Sequence, residues 1–438
     1  MTWRIAALGL LGGGLLAGEQ ATSGAARRTS VVAAGVGIAI WAVITAGSSR
    51  ATRFHTAPAP LSPARDAGPL PPVDVVVPAR DEASALPMLL RDLGAQDHRD
   101  PDGRPRFSVT IVDDRSTDGT ATIAAAAADL AGLGCCFHIV SRPLGARPDG
   151  KGAALAAVPR SLLDGAAIVV LDADARIAPD FLRRAAAWVA GGTSAVTARR
   201  RVRHGEAGYL AAAQAAEQTM DGLQLRGRAA FGGFGEFRGN GMVLTPAVLD
   251  SVGGWPVGSL TEDLELSMRL AAMGVPIVWA ADLVAWEAPT ATIAALCRQR
   301  LRWAEGSVRR FFLLLPAVLA SRDLPMAAKV DLVGSAAQLV LPQFLAGVAL
   351  GGIRERNVSV PLVLTGAYVG VATGLTWVAL GQEAAFDGRE MPWRTRLARS
   401  ALGGSIEALW LVAVPLAQLR IVIQKGSTTF AKTRERLL

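Results

Sequence analysis

Cysteine, histidine and tyrosine are scarce in this chain of 438 residues, which holds three, four and two of them. The cysteines are Cys135, Cys136 and Cys297. Adjacent cysteines rarely pair and no Cys-x-x-Cys occurs, so a disulfide scaffold is excluded and reduced thiols facing the cytosol are expected. With so few histidines, no zinc-ligand spacing appears either. No nucleic-acid-binding motif is present, so the net charge of +8 calls for another reading. Charged residues make up only 19% against 51% hydrophobic ones, which excludes disorder.

The apolar residues are unevenly spread. Residues 31–49, 332–350 and 358–381 carry no charge, and each reaches about the 18 residues expected of a spanning helix. Arginines flank such runs: Arg50 and Arg53, Arg309 and Arg310, then Arg389, Arg394, Arg396 and Arg399. That placement fits the positive-inside rule. Arg4 and the uncharged residues 5–18 resemble the start of a signal peptide, but also a short spanning helix. A second apolar run follows soon after, so two N-terminal membrane helices are expected over residues 1–54. A cytosolic centre then has 332–350 crossing outward and 358–381 returning. In residues 400–424, Glu407 and Arg420 bound an uncharged core too short to span, and Pro415 interrupts it. This stretch is expected to lie in the interface or re-enter, with Arg389 and Lys432 in the cytosol.

A linker at 55–72 contains Pro58, Pro60, Pro63, Pro69, Pro71 and Pro72 and is read as stiff and extended. From Val73 the texture changes. Short apolar runs at 73–77, 108–112, 137–140 and 166–171 read as strands. Helical stretches follow them at 83–95, 120–133, 151–163 and 179–189. This alternation predicts an α/β fold with a mostly parallel sheet, covered on both faces and flanked by transmembrane helices. Residues 73–290 are taken as the catalytic domain, 291–325 as interfacial helices, and 326–438 as C-terminal membrane helices with a basic tail.

Ligands of such sheets sit at the carboxyl ends of the strands. Asp81 and Glu82 follow the first strand; Asp113, Asp114 and Asp118 the second; Asp172 and Asp174 the fourth. Helix capping accounts for Ser116, Thr117 and Asp118. It does not account for Asp172 and Asp174, which precede their helix by several residues. Two carboxylates at i and i+2 suit Mg²⁺ or Mn²⁺ bridging protein and diphosphate.

Four ordered stretches, Asp113-Asp114-Arg115-Ser116-Thr117-Asp118-Gly119-Thr120, Asp172-Ala173-Asp174, Thr261-Glu262-Asp263 and Gln299-Arg300-Leu301-Arg302-Trp303, resemble the motifs of membrane-bound family 2 glycosyltransferases. That group includes cellulose, hyaluronan and poly-N-acetylglucosamine synthases and bacterial enzymes that glucosylate diacylglycerol. The resemblance covers about Val73 to Leu315 and implies a GT-A-type nucleotide-binding fold. Two departures stand out. Asp81 replaces the usual asparagine of the opening motif, and Arg115 replaces the usual glycine after Asp113-Asp114. No carboxylate expected to be needed is lost, but the packing of the uridine is put in question.

The resemblance implies that Asp114 accepts a hydrogen bond from uracil while Asp113 supports the turn. Asp172 lies near ribose or metal, and Asp174 holds the metal. Lys151 contacts the nucleotide, or else is a solvated lysine at a helix start. Asn240, in Phe237-Arg238-Gly239-Asn240-Gly241, lies near the acceptor, as does Glu262; an ordinary turn and a helix N-terminus are the plain alternatives. Transfer to a hydroxyl needs a base, and Asp263 is the candidate. Gln299, Arg302 and Trp303 share one helical segment. The first two would serve the leaving diphosphate, and the indole an acceptor or simply the membrane interface.

The resulting expectation is an inverting, metal-dependent hexosyltransferase using a UDP-sugar. It sits in the plasma membrane as a multi-pass protein with a cytosolic catalytic domain, and binds no nucleic acid. Trp303-Ala304-Glu305-Gly306, with residues 237–241, looks most like the diacylglycerol glucosyltransferases, so a lipid acceptor leads. A processive polysaccharide synthase, with a glycan acceptor, is the alternative. A transporter would show paired repeats of broken helices, and none is found.

Overall fold

The computed structural model describes residues 2–21 and 69–423. The expected span at 31–49, most of the proline-rich linker and Lys432 lie outside the described residues. The strands are β1 (Val73–Ala79), β2 (Phe107–Asp114), β3 (Phe137–Arg142), β4 (Ala167–Val170), β5 (Arg176–Ile177), β6 (Ala195–Val202), β7 (Met242–Leu244) and β8 (Val278–Glu287). They form one sheet in the order β3-β2-β1-β4-β7-β6-β8-β5. The pairs β3/β2, β2/β1, β1/β4 and β6/β8 are parallel; β7 runs antiparallel between β4 and β6.

Continuous valine runs make these strands because both faces are covered. Val75 and Val77 pack with Leu86, Leu89, Leu90 and Leu93 of helix α2 (Leu86–Gly94; α1 is Thr2–Gln20). Val76 points to the opposite layer, with Leu155 of α4 (Lys151–Ala156) and Leu266 and Leu270 of α8 (Glu262–Ala272). Helices α3 (Thr120–Leu130) and α5 (Phe181–Ala190) join the first layer, and α7 (Pro246–Ser251) the second. Helix α4 is shorter than its pattern predicts. Pro159 cannot continue it, and only a 3₁₀ turn, Arg160–Leu162, follows.

Helix α6 (Tyr209–Ala230) and the 28-residue α9 (Ile293–Ala320) lie between the sheet and the apolar helices. The stretch expected to be a pair of interfacial helices is this single helix, with Pro316 inside it. Beyond it come α10 (Met326–Ser335), α11 (Ala337–Arg354), α12 (Ser359–Phe386), α13 (Trp393–Glu407) and α14 (Trp410–Ile423). Among the described residues, three segments are long and apolar enough to cross a membrane: Met326–Arg354, Ser359–Phe386 and Trp393–Ile423. Helix α1 packs closely on α11. Arg199 and Arg201 of β6 pair with Glu383 and Asp387 at the end of α12, tying the sheet to the apolar helices.

The last segment differs from its sequence reading. Pro415 sits inside α14, and the break falls at Ala408-Leu409. Ala413, Val414, Ala417 and Ile421 are buried in the cluster that also holds Val308 and Phe311 of α9, and this packing carries the helix past the proline. Both ends of α14 touch helices next to the sheet. The Trp410 indole donates to Glu217 of α6 at 3.4 Å, and Arg420 lies 4.0 Å from Glu305 of α9.

Candidate active site

The reversal of direction at β7 builds the site. Because β7 runs against β4, the loop entering β7 lies beside the residues leaving β4. The Asp172 amide donates to Oδ1 of Asn240 at 3.2 Å, and the Gly241 amide donates to the Val170 carbonyl at 3.0 Å. Gly241 has φ +74°, and a Cβ there would collide with Ala198. Asn240 is fully buried, so it braces Asp172 from behind.

Lys151 stands at the centre. Its Nζ lies 2.6 Å from Oδ1 of Asp172, donates to the Gly239 carbonyl at 2.9 Å, and is 3.7 Å from Glu262. Gly152 lets α4 come this close, because a Cβ there would strike the Pro256 carbonyl and crowd Glu262. Burial disfavours the ammonium ion, but the Asp172 and Glu262 carboxylates outweigh it and hold the Lys151 pKa above its ordinary value. Burial pushes Glu262 up to about 7; Lys151 opposes the shift and Asp263 adds to it. Glu262 is buried while its neighbour Asp263 is half-buried, so Asp263 is the more open carboxylate of the pair. A Cβ on Gly239, whose φ is +84°, would sit 3.3 Å from Oδ2 of Asp263.

The loop carrying Asn240 is anchored from below. The Phe237 amide donates to Oγ of Ser267, which donates to the Asp263 carbonyl at 2.7 Å. Glu236 accepts from Arg228, Arg238 and Arg310. Burial alone would raise its pKa, but the three guanidiniums drive it far below the carboxylate range.

The β2 end is arranged otherwise than the motif suggests. Asp113 accepts from the Ser116 amide at 3.2 Å, within the turn that leaves β2. The Asp114 carboxylate, however, is gripped by two arginines. Arg115 donates to it through Nε at 2.9 Å and Nη2 at 3.2 Å, and Arg142 through Nη1 at 2.6 Å. Arg115 adopts φ +64°, the conformation for which the usual glycine is suited, and Asp81 likewise has φ +51°. The Thr117 amide donates to Asp81 at 2.8 Å and the Asp81 amide to Ser116 at 2.9 Å, zipping the first two strand ends together.

Asp174 is buried at the other side of the β4 end, and its Oδ2 accepts from the Ala288 amide just beyond β8 at 3.1 Å. Among the described residues, no three His, Cys, Asp or Glu side chains group to hold an ion by themselves. Mg²⁺ is commonly held by one or two carboxylates with substrate phosphates completing its shell, and Asp172-x-Asp174 fits that donor set.

Helix α9 closes the site. Arg302 donates to the Leu260 carbonyl at 3.4 Å, next to Thr261, and Gly306 allows contact, since a Cβ there would lie 2.6 Å from Thr261 Oγ1. Gln299 accepts from Arg300 at 3.0 Å. Arg300 was not singled out by the sequence, yet it organises this face. It pairs with Glu217 and stacks over Trp303, 4.4 Å from the ring centre, and over Trp410 at 5.7 Å. Arg142 and Glu236 also lie outside the motifs: Arg142 reaches Asp114 across 28 positions, and Arg310 reaches Glu236 across 74.

Known proteins resemble this chain at several levels. It is 29% identical over 405 residues to a β-monoglucosyldiacylglycerol synthase of Synechocystis, covering 90% of this chain and 82% of that protein. A synthase of the same name from Nostoc is 32% identical over 256 residues, covering 58% and 53%. Among solved structures, a mannosyltransferase of Pyrobaculum calidifontis, in complex with GDP-Man and Mn²⁺, superposes with a TM-score of 0.53 at 24% identity. The match covers 85% of this chain and 98% of that one. That likeness shows a shared GT-A-like fold. The family described as glycosyltransferase-like family 2 matches residues 71–306, more than half of the chain. With the sheet, the strand-end carboxylates and the helix α9 motif in place, the chain belongs to glycosyltransferase family 2.

Proposed function

We propose that this chain moves a hexose from a UDP-sugar to a hydroxyl of a membrane lipid such as diacylglycerol, with inversion at the anomeric carbon. The observation that carries the lipid reading is the match to the Synechocystis β-monoglucosyldiacylglycerol synthase along 90% of the chain. The protein sits in the plasma membrane with residues 73–290 in the cytosol. Nucleotide binds along the ends of β1, β2 and β4, beside Asp113, Asp114 and Asp172. Asp174 would hold Mg²⁺ or Mn²⁺, and the ion would supply charge neutralisation to the departing diphosphate.

The protein's own residues account for the rest. Asp263 takes the proton from the acceptor hydroxyl as the new bond to the anomeric carbon forms. Gly239 leaves that carboxylate its room. Lys151 keeps Asp172, Glu262 and Asp263 in one place despite their mutual repulsion. Arg302, with Gln299 beside it on α9, donates to the leaving diphosphate. Trp303, held flat by Arg300, forms the acceptor wall where α9 meets the apolar helices, with Glu262 and Asn240 supporting the same side.

A donor screen tests this. Purified protein is given UDP- and GDP-sugars with diacylglycerol, with and without a chelator, and the lipids are analysed by mass spectrometry. One added hexose on the lipid, formed from a UDP-sugar and lost on chelation, is expected. A size ladder of polymer would favour the processive alternative, and full activity in excess chelator would remove the metal from the account.

A further inference from the structure

The residue that departs from the family's pattern after Asp113-Asp114 is also the one that takes up most of the Asp114 carboxylate. An ionised carboxylate has about four acceptor positions, two on each oxygen. Among the described residues, Oδ1 of Asp114 accepts two N–H groups, from Arg115 Nε and Arg142 Nη1, and Oδ2 accepts one, from Arg115 Nη2. One position is left, on Oδ2. Beside it lies the second hydrogen of Arg115 Nη2.

Arg115 also pins the segment beside this carboxylate. Its Nη1 pairs with Asp149, and Arg142 donates to the Pro148 carbonyl at 2.7 Å. The segment between β3 and α4 is thereby drawn onto the β2 end. Asp114 and Arg115 are both buried, at 5% and 8% exposure, so a base hydrogen bond left unmade here is not repaired by bulk water.

We propose that Arg115 is a specificity-determining residue of the donor site, leaving Asp114 able to accept a single N–H and so selecting a uracil over a guanine base. This deepens the UDP-sugar reading and rests on it. The uracil edge presents one N–H between two carbonyls. The N–H takes the remaining place on Oδ2, and a flanking carbonyl meets the Arg115 hydrogen beside it. The guanine edge presents a carbonyl and two adjacent donors. Its second donor finds Oδ1 already filled. The loop fastened to Arg115 also narrows the space for the larger purine.

Arg115→Gly is the direct test. Glycine favours the observed φ of +64°, and Arg142 stays as a cationic partner for Asp114, so the variant is suited to fold. The full-length protein in detergent is titrated with UDP and with GDP, each with Mn²⁺. Wild type is expected to prefer UDP. In Arg115→Gly the preference should fall by about tenfold, the worth of one buried hydrogen bond regained by guanine. The acceptor KM should stay unchanged. Arg115→Lys, which keeps the charge but lacks the planar fork, should fall between the two and serves as the second variant. An unaltered UDP-to-GDP ratio in both variants overturns the proposal while leaving the UDP-sugar reading intact. A wild type that prefers GDP overturns that reading and this one together.

Discussion

Lys151 Nζ lies 2.6 Å from Oδ1 of Asp172 and joins the end of β4 to the Gly239 loop and the start of α8. Asp172, Glu262 and Asp263 all act electrostatically on this one ammonium ion. Lys151→Met removes it and leaves the carboxylates facing one another. The expected loss of stability is roughly 3 kcal/mol, the low end for breaking a buried pair, because Asp172 is partly exposed. Denaturant unfolding of both proteins in detergent measures it. A variant as stable as wild type would show that the carboxylates do not depend on this lysine.

Gly239→Ala should separate chemistry from binding. The backbone there has φ +84°, which costs an alanine roughly 1–2 kcal/mol, and the new methyl would press on Asp263. Displacing a reacting group slightly can cost about 10²-fold in rate. Turnover is expected to drop by that order, while UDP affinity, measured by calorimetry, changes little. Unchanged turnover would place Asp263 away from the reacting atoms.

Glu262 gives a pH signature. Its folded pKa, near 7, lies above the ordinary value of 4.5. The protonated form therefore favours folding. That contribution is fully present below about 4.5 and is lost as pH rises toward 7. Glu262→Gln keeps the neutral form at every pH. Without donor present, the variant should be the more stable protein at pH 8, and the two melting curves should converge in acid. Equal stability at pH 8 would contradict a raised Glu262 pKa.

Much of this was readable because it is local. Val73–Ala79 and Phe107–Asp114 announce buried parallel strands by unbroken apolar runs, and the acids just past them mark the ligand edge. Asp263 is marked by its triplet at the start of α8. What stayed hidden depends on residues far apart in sequence. Arg142 reaches Asp114 across 28 positions, and Lys151 reaches Gly239 across 88. No spacing rule links such pairs; only the sheet order brings them together. Pro415 misled for a related reason. Its effect on a helix depends on what packs alongside, and α9 supplies that support.

In the proposed reaction Asp263 activates a lipid hydroxyl against the hexose of a UDP-sugar. Asp263→Asn, compared with wild type in a coupled measurement of UDP binding and of glycolipid formation from UDP-glucose and diacylglycerol, tests it most directly. Wild type should yield lipid carrying one hexose. The variant should bind UDP nearly as tightly but turn over about 10²–10⁴-fold more slowly, the usual contribution of a general base. A variant that turns over as fast as wild type, or one whose only defect is weaker UDP binding, would contradict it.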